Sequence, residues 1–129
     1  MGKRIGIVGT RFTRLHSPNW EQEIRDFIYT LPDDVEIIVN GAPGTDQAAK
    51  RFAEVRGLKV TELFPDADYS LDKRYFMHRN GLVVEKADEI HAFWDGHSAG
   101  TQHAIKLARH LKVPIHVHHV MSENWQRVG

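Results

Sequence analysis

Short apolar runs alternate along this chain with segments whose apolar residues recur every three to four positions. Ile5 to Val8 is the first run, an expected strand that Gly9-Thr10 ends. Trp20, Ile24, Phe27, Ile28 and Leu31 then form a helical stripe, started by Ser17-Pro18-Asn19 and stopped by Pro32-Asp33-Asp34. Val35 to Val39 predicts a second strand. The loop Asn40 to Asp46 leads from it into a helix with Ala48, Ala49, Phe52 and Val55 on one face, and Gly57 is placed to end that helix. Leu58 to Phe64 is the third expected strand, closed by Pro65. Asp66 to Asp72 reads as a polar turn, with a helix from about Ser70 to Lys86. Glu89 to Trp94 is the fourth strand, and a helix with Ala104, Ile105, Ala108 and Leu111 inward follows the loop Asp95 to Thr101. Val113 to Val117 is the fifth strand, and from His118 the pattern fades into a tail.

Strand and helix in regular alternation imply right-handed crossovers. The expected fold class is therefore α/β: one Rossmann-like domain over residues 1–117, with a mostly parallel five-stranded sheet and helices on both faces. The tail would be 118–129. In such sheets ligands bind beyond the carboxyl ends of the strands, where strand order reverses. The loops after strands one, two and four lie at that end and all carry glycine, which permits positive φ and close backbone approach. They supply Gly9, Thr10 and Arg11; Gly41, Gly44, Thr45 and Asp46; and Asp95, Gly96, Ser98, Gly100 and Thr101. Two of the loops open helices, whose first N–H groups lack internal partners and attract anions. A phosphate is the expected guest. Neither a Walker A lysine pattern nor the Gly-x-Gly-x-x-Gly spacing of dinucleotide enzymes occurs.

At 129 residues the chain is long enough for one core, and its 41% hydrophobic and 26% charged composition argues against disorder. It has no cysteine, which removes disulfides and zinc-thiolate sites and suits a reducing cytoplasm. No segment suits a membrane span. The 17 basic and 17 acidic residues cancel, which speaks against a nucleic acid as partner. Among nine histidines, His116 and His118 share a strand face, but a pair without a third ligand assigns no metal site.

The loops also carry a resemblance. Gly41-Ala42-Pro43-Gly44-Thr45-Asp46 before an alanine-rich helix resembles the segment "GGARGAD" of the YspA/YpsA-related SLOG family, also designated DUF2493. Phe64-Pro65 resembles its "FP" segment, Arg79-Asn80 its "RN" pair, and Gly9-Thr10-Arg11-Phe12 its "GSRxF" opening. Ala92 to Thr101 resembles "AFWDGxSxGT". The ordered matches span about residues 5 to 117. The resemblance implies a Rossmann-like fold that senses or processes nucleotides or nucleotide-derived ligands, with Arg79 and Asn80 facing the ligand. It also implies frequent self-association, hence a homodimer. Asn40, Pro43 and Thr45 depart from the family pattern, and loss of the arginine at Pro43 removes a phosphate contact. More distant relatives, the cytokinin-activating phosphoribohydrolases, carry "PGGxGTxxE"; here Gln102, His103 and Ala104 follow Gly100-Thr101, so their glutamate has no counterpart.

The leading expectation is a binding or sensor domain for a small nucleotide or ADP-ribose-like ligand, with no cofactor required. An enzyme that cleaves an N-glycosidic bond is the alternative, with Asp95 and Asp46 as its candidate catalytic carboxylates. A third reading is single-stranded DNA binding, because SLOG folds also occur in recombination mediators of the DprA type. His97, His103 and Trp94 border the fourth-strand loop, with solvent exposure expected for the histidines and either base stacking or core packing for the tryptophan.

Overall fold

The computed structural model describes residues 2–12, 19–63 and 73–120, with side chains from residue 78 in the last segment. Five strands and four helices alternate: β1 (Arg4–Gly9), α1 (Trp20–Tyr29), β2 (Glu36–Val39), α2 (Thr45–Val55), β3 (Lys59–Glu62), α3 (Lys73–Lys86), β4 (Glu89–Trp94), α4 (Ala99–His110) and β5 (Ile115–His119). All strand pairs are parallel and the sheet order is β3-β2-β1-β4-β5. The chain therefore builds outward from β1 to β3, then crosses back to place β4 on the other side of β1. Strand order reverses between β1 and β4. That crevice is where a sheet of this topology takes its ligands.

Period-two alternation divides the buried residues between two layers. Ile5, Ile7, Ile37, Val39 and Phe93 face α1 and α2, where Ile24, Ile28, Ala48, Ala49 and Ala53 meet them. Val8, Ile38, Ile90 and Ala92 face the opposite way, against Val83 and Val84 of α3 and Ala104, Ile105 and Ala108 of α4. Small alanines on α2 and α4 let those helices lie close to the sheet. Every central strand is covered on both sides, so apolar runs replace clean alternation in the sequence.

The element boundaries differ from expectation in a few places. Val55 is 72% exposed because it falls at the fringe of the buried arc of α2, whose centre passes through Ala49 and Ala53. Leu111 is 44% exposed because it follows the last helical residue of α4 and leaves its inward stripe. The final strand runs further than expected. β4 extends to Trp94 and gives His118 and His119 partners in register, and the N–H of buried Val120 donates to the Trp94 carbonyl at 2.9 Å. Ser17-Pro18, Phe64-Pro65, the turn 66–72 with Ser70, and 121–129 lie outside the described residues. No helix among the described residues is long and apolar enough to cross a membrane.

One polar group interrupts the α1 face of the sheet. His91, His116 and His118 project there from β4 and β5, beneath Phe27 of α1, whose ring centroid lies 4.2 Å from that of His91. Burial, followed by the neighbouring charges of His118 and His116, pushes His91 down to about 4. Burial and His116 lower His118 as well.

Candidate functional site

The loops after β1, β2 and β4 meet at the carboxyl rim, and Thr10 is the residue that joins them. Its N–H donates to the Phe93 carbonyl at 3.0 Å. Its own carbonyl accepts from the Thr45 N–H at 3.2 Å and from the Thr45 hydroxyl at 2.8 Å. Its hydroxyl donates to Asp95 Oδ1 and accepts from the Asp95 N–H, both at 3.2 Å. Thr10 is buried, so each of these bonds also meets a desolvated polar group that needs a partner. Gly9 approaches just as closely: a Cβ there would strike Thr45 and the Phe93 carbonyl.

The β2 loop is folded onto itself by Asp46. Its Oδ2 accepts from the N–H groups of Gly41 at 3.1 Å and Ala42 at 3.3 Å. The carboxyl is fully enclosed, and burial raises it to about 7 against the opposing pull of the Ala42, Gly41 and Asn40 amides and the Arg11 charge. Gln47 closes the loop from the other side, donating from Nε2 to the Gly41 carbonyl at 2.6 Å and from its N–H to the Ala42 carbonyl at 3.2 Å. Gly44 sets the helix entry at φ 86°, ψ −123°, and a Cβ on it would lie 2.6 Å from Arg11 Cα and Phe12 N. Only glycine lets these two loops touch.

The β4 loop is a tight turn around Asp95, whose Oδ1 also accepts the N–H groups of His97 and Ser98 at 2.9 Å each. Trp94 acts as a clasp: its half-buried indole donates Nε1–H to the Ser98 carbonyl at 3.0 Å. The Ser98 hydroxyl lies 3.2 Å from that of Thr101, and among the described residues no side chain caps the first turn of α4. The first intrahelical bond runs from Gln102 N–H to the Ser98 carbonyl, so the amides of Ala99, Gly100 and Thr101 precede the ladder. The first turn of α2 is different, because Thr10 and Ala42 carbonyls take the Thr45 and Gln47 amides. Of these two helices, α4 keeps more first-turn amides outside the backbone bonds described.

The structure thus brings Gly9, Thr10, Gly41, Gly44, Thr45, Asp46, Asp95, Ser98 and Thr101 into one bonded frame. Thr10, Gly41, Thr45, Asp46 and Thr101 are buried in it. The Asp46 carboxylate and the Asp95 Oδ1 organise their own turns. Arg11, Gly96 and His97 are exposed on the rim, as is His103 on α4. Asn80 arrives from α3: Asn40 Nδ2 donates to its Oδ1 at 3.4 Å, and a Cβ on Gly100 would sit 3.8 Å from its Nδ2. Arg79 precedes it, half-buried on the same helix.

Three contributors went unrecognised in the sequence. Asn40 is 1% exposed and links β2 to α3; an asparagine ending an apolar strand was its signal. Gln47 and Glu62 also shape the loop. Glu62, at the end of β3, lies 3.4 Å from both Gln47 Nε2 and Lys50 Nζ and fills the space beside Gly41. Nothing local in the sequence distinguishes these two from ordinary surface polar residues.

No known protein-family model matches the chain. The Gene 61 protein of Mycobacterium phage D29 is 29% identical to it over 118 residues, covering 88% of this chain and 94% of that protein. Among solved structures, DNA processing protein A (DprA) from Streptococcus pneumoniae superposes with a TM-score of 0.74 at 17% identity. That match covers 90% of this chain, which spans only 50% of the pneumococcal protein. TM1055 superposes at 0.65 with 20% identity, over 88% of this chain and 72% of the other. DNA processing protein A from Helicobacter pylori, described for its single-stranded DNA binding mode, gives 0.60 with 18% identity, over 98% and 71%. At these identities the likeness establishes architecture: this chain has the Rossmann-like α/β fold of DprA and TM1055.

Proposed function

We propose that the chain binds the phosphate-bearing part of a nucleotide or nucleotide-derived ligand in the crevice between β1 and β4. The observation that carries this reading is the convergence of three loops through Thr10 beside the start of α4, which no side chain among the described residues caps. Phosphate oxygens would accept from the amides of Ala99 to Thr101, where the helix dipole also favours negative charge. Gly100 leaves room for that approach. Arg11 on the β1 loop and Arg79 on α3 would supply positive charge, and Asn80 would offer an amide to a ribose or base.

A second reading is that the nucleotide belongs to single-stranded DNA. It is favoured by the overall likeness to two DNA processing proteins, of which the Helicobacter pylori protein binds single-stranded DNA. This likeness counts against the charge-based expectation that a nucleic acid is an unlikely partner. A strand would present the same phosphate chemistry to the same rim. The balanced charge of the chain would then give shallow salt dependence, because few phosphates are neutralised.

Thermal-shift titration with AMP, ADP-ribose, NAD and cyclic nucleotides tests the first reading, since a bound ligand raises the melting temperature by mass action. Fluorescence anisotropy with a labelled oligothymidylate at several salt concentrations tests the second. A mononucleotide response that Gly100→Asp abolishes supports the small-ligand reading. Oligonucleotide binding without a mononucleotide response selects DNA. Silence in both assays removes the proposal.

A further inference from the structure

Far from the rim, near the amino ends of β4 and β5, three side chains bring their ligating atoms together. Glu89 and His91 occupy alternate positions on β4, and His116 sits on β5 directly opposite His91 in the register. Glu89 Oε2 lies 3.5 Å from His91 Nε2 and 3.5 Å from His116 Nε2, and all three atoms fall within 4.8 Å of one another. Ligands held tetrahedrally around zinc at about 2.0–2.1 Å are separated by roughly 3.3 Å. His91 and His116 are stacked, with ring centroids 4.7 Å and planes 18° apart, so ligation requires the exposed His116 ring to turn out of that stack.

We infer that Glu89, His91 and His116 form a binding site for a divalent transition-metal ion of the zinc class, cross-linking the edge strand β5 to β4. Two imidazoles and one carboxylate are a fitting donor set for such an ion, and a fourth position stays open to water. The surroundings orient the ligands as metal sites require. His91 Nδ1 lies 2.9 Å from His118 Nε2, so an Nδ1–H donated to His118 leaves His91 Nε2 free to ligate. His118 is itself held flat against Phe93, with centroids 4.5 Å apart and planes 8° apart. Lys3 takes the other carboxylate oxygen, Glu89 Oε1, at 3.4 Å, leaving Oε2 toward the histidines. His116 is 57% exposed in its side chain and gives an ion a way in, while His91 at 10% and Glu89 at 16% form the floor.

This site is independent of the nucleotide reading. It lies on the α1 face of the sheet, about five residues of strand, or roughly 17 Å, from the loop after β4. Its expected role is to fasten β5, which among the described residues pairs only with β4.

The test uses the full chain, stripped with a chelator and then titrated with zinc chloride by calorimetry, with thermal melting alongside. One equivalent should bind and raise the melting temperature. His116→Ala and Glu89→Gln should each weaken binding at least tenfold, and His118→Phe should weaken it less. His97→Ala and His103→Ala, on exposed rim and helix positions, should leave it unchanged. Cobalt substitution adds a second readout: visible absorption that is lost in His116→Ala. Because His116 is exposed, that variant keeps the fold, which circular dichroism verifies. Failure of the parent chain to bind zinc or cobalt would overturn the assignment. So would binding that survives both His116→Ala and Glu89→Gln.

Discussion

The two ends of the central strands solve the problem of holding polar groups in opposite ways. At the carboxyl rim the hydrogen-bonding capacity of the loops is spent mainly inward. Thr10, Thr45, Asp46 and Asp95 tie turns to one another, and the first amides of α4 stay outside its helical ladder. At the amino end of β4 and β5 the facing backbone is taken up by the ladder between them, and the side chains of Glu89, His91 and His116 form the polar cluster. A site made of backbone depends on loop geometry, whereas a site made of side chains depends on strand register. Mutations should therefore damage the two in different ways: folding stability at the rim, ligation at the cluster.

The largest effect is expected at Gly44. Gly44→Val places a Cβ against Arg11 and Phe12 at a φ of 86°, and should cost at least about 3 kcal/mol in urea unfolding. Gly96 shares a positive φ of 87° but has nothing within 4 Å, so Gly96→Ala should cost only about 1 kcal/mol. Equal losses at both would show that close approach contributes nothing.

Asp46 comes next. Asp46→Ala leaves the Gly41 and Ala42 amides without their acceptor, a loss of about 2 kcal/mol. Its pH behaviour is unusual for a carboxylate. The folded value of about 7 stands above the ordinary 3.8, so the folded state keeps the proton longer than the unfolded chain. The resulting stabilisation is complete below about pH 4 and is lost as pH rises toward 7, with a limiting slope of about 1.4 kcal/mol per pH unit. Asp46→Asn should flatten that part of the stability profile in parallel denaturant titrations. A parent profile that rises with pH over the same interval, with Asp46→Asn unable to alter it, would refute this assignment.

Thr10→Val removes the hydroxyl shared with Asp95 and should cost about 1–2 kcal/mol while loosening the β4 turn. Amide exchange at His97 and Ser98 should accelerate if the turn loosens. The smallest effect belongs to the cluster without metal. Glu89→Gln weakens a half-exposed pairing with Lys3 and should shift stability by less than about 1 kcal/mol. With zinc present the same substitution should become costly, and that contrast separates ligation from packing.

The architecture was legible because each apolar run and stripe belongs to one element, although Val55 and Leu111 leave their stripes and β5 is displaced toward His119. Burial on both faces makes Ile5 to Val8 and Glu89 to Trp94 easy to find, and alternation between strand and helix dictates parallel pairing. The meeting of the three loops followed from topology alone. Their internal wiring did not. Whether Asp46 turns inward to its own loop or outward to a ligand depends on backbone dihedrals at Gly41 and Gly44, which sequence does not encode visibly. The histidines illustrate the same limit. Spacing of two pairs His116 with His118, yet the ligating neighbours of His116 are Glu89 and His91, supplied by strand register across about 25 residues.

The bond between Thr10 and Asp95 spans 85 positions of sequence, and it has a consequence for how the molecule comes into being. As the polypeptide leaves the ribosome, β1, β2 and β3 are available to pair while one flank of β1 stays bare. The crevice cannot exist until β4 slots into that flank, so the rim is completed late in synthesis. A truncated product ending before Glu89 would own both helices of one layer, α3 of the other, and none of the crevice beside β4.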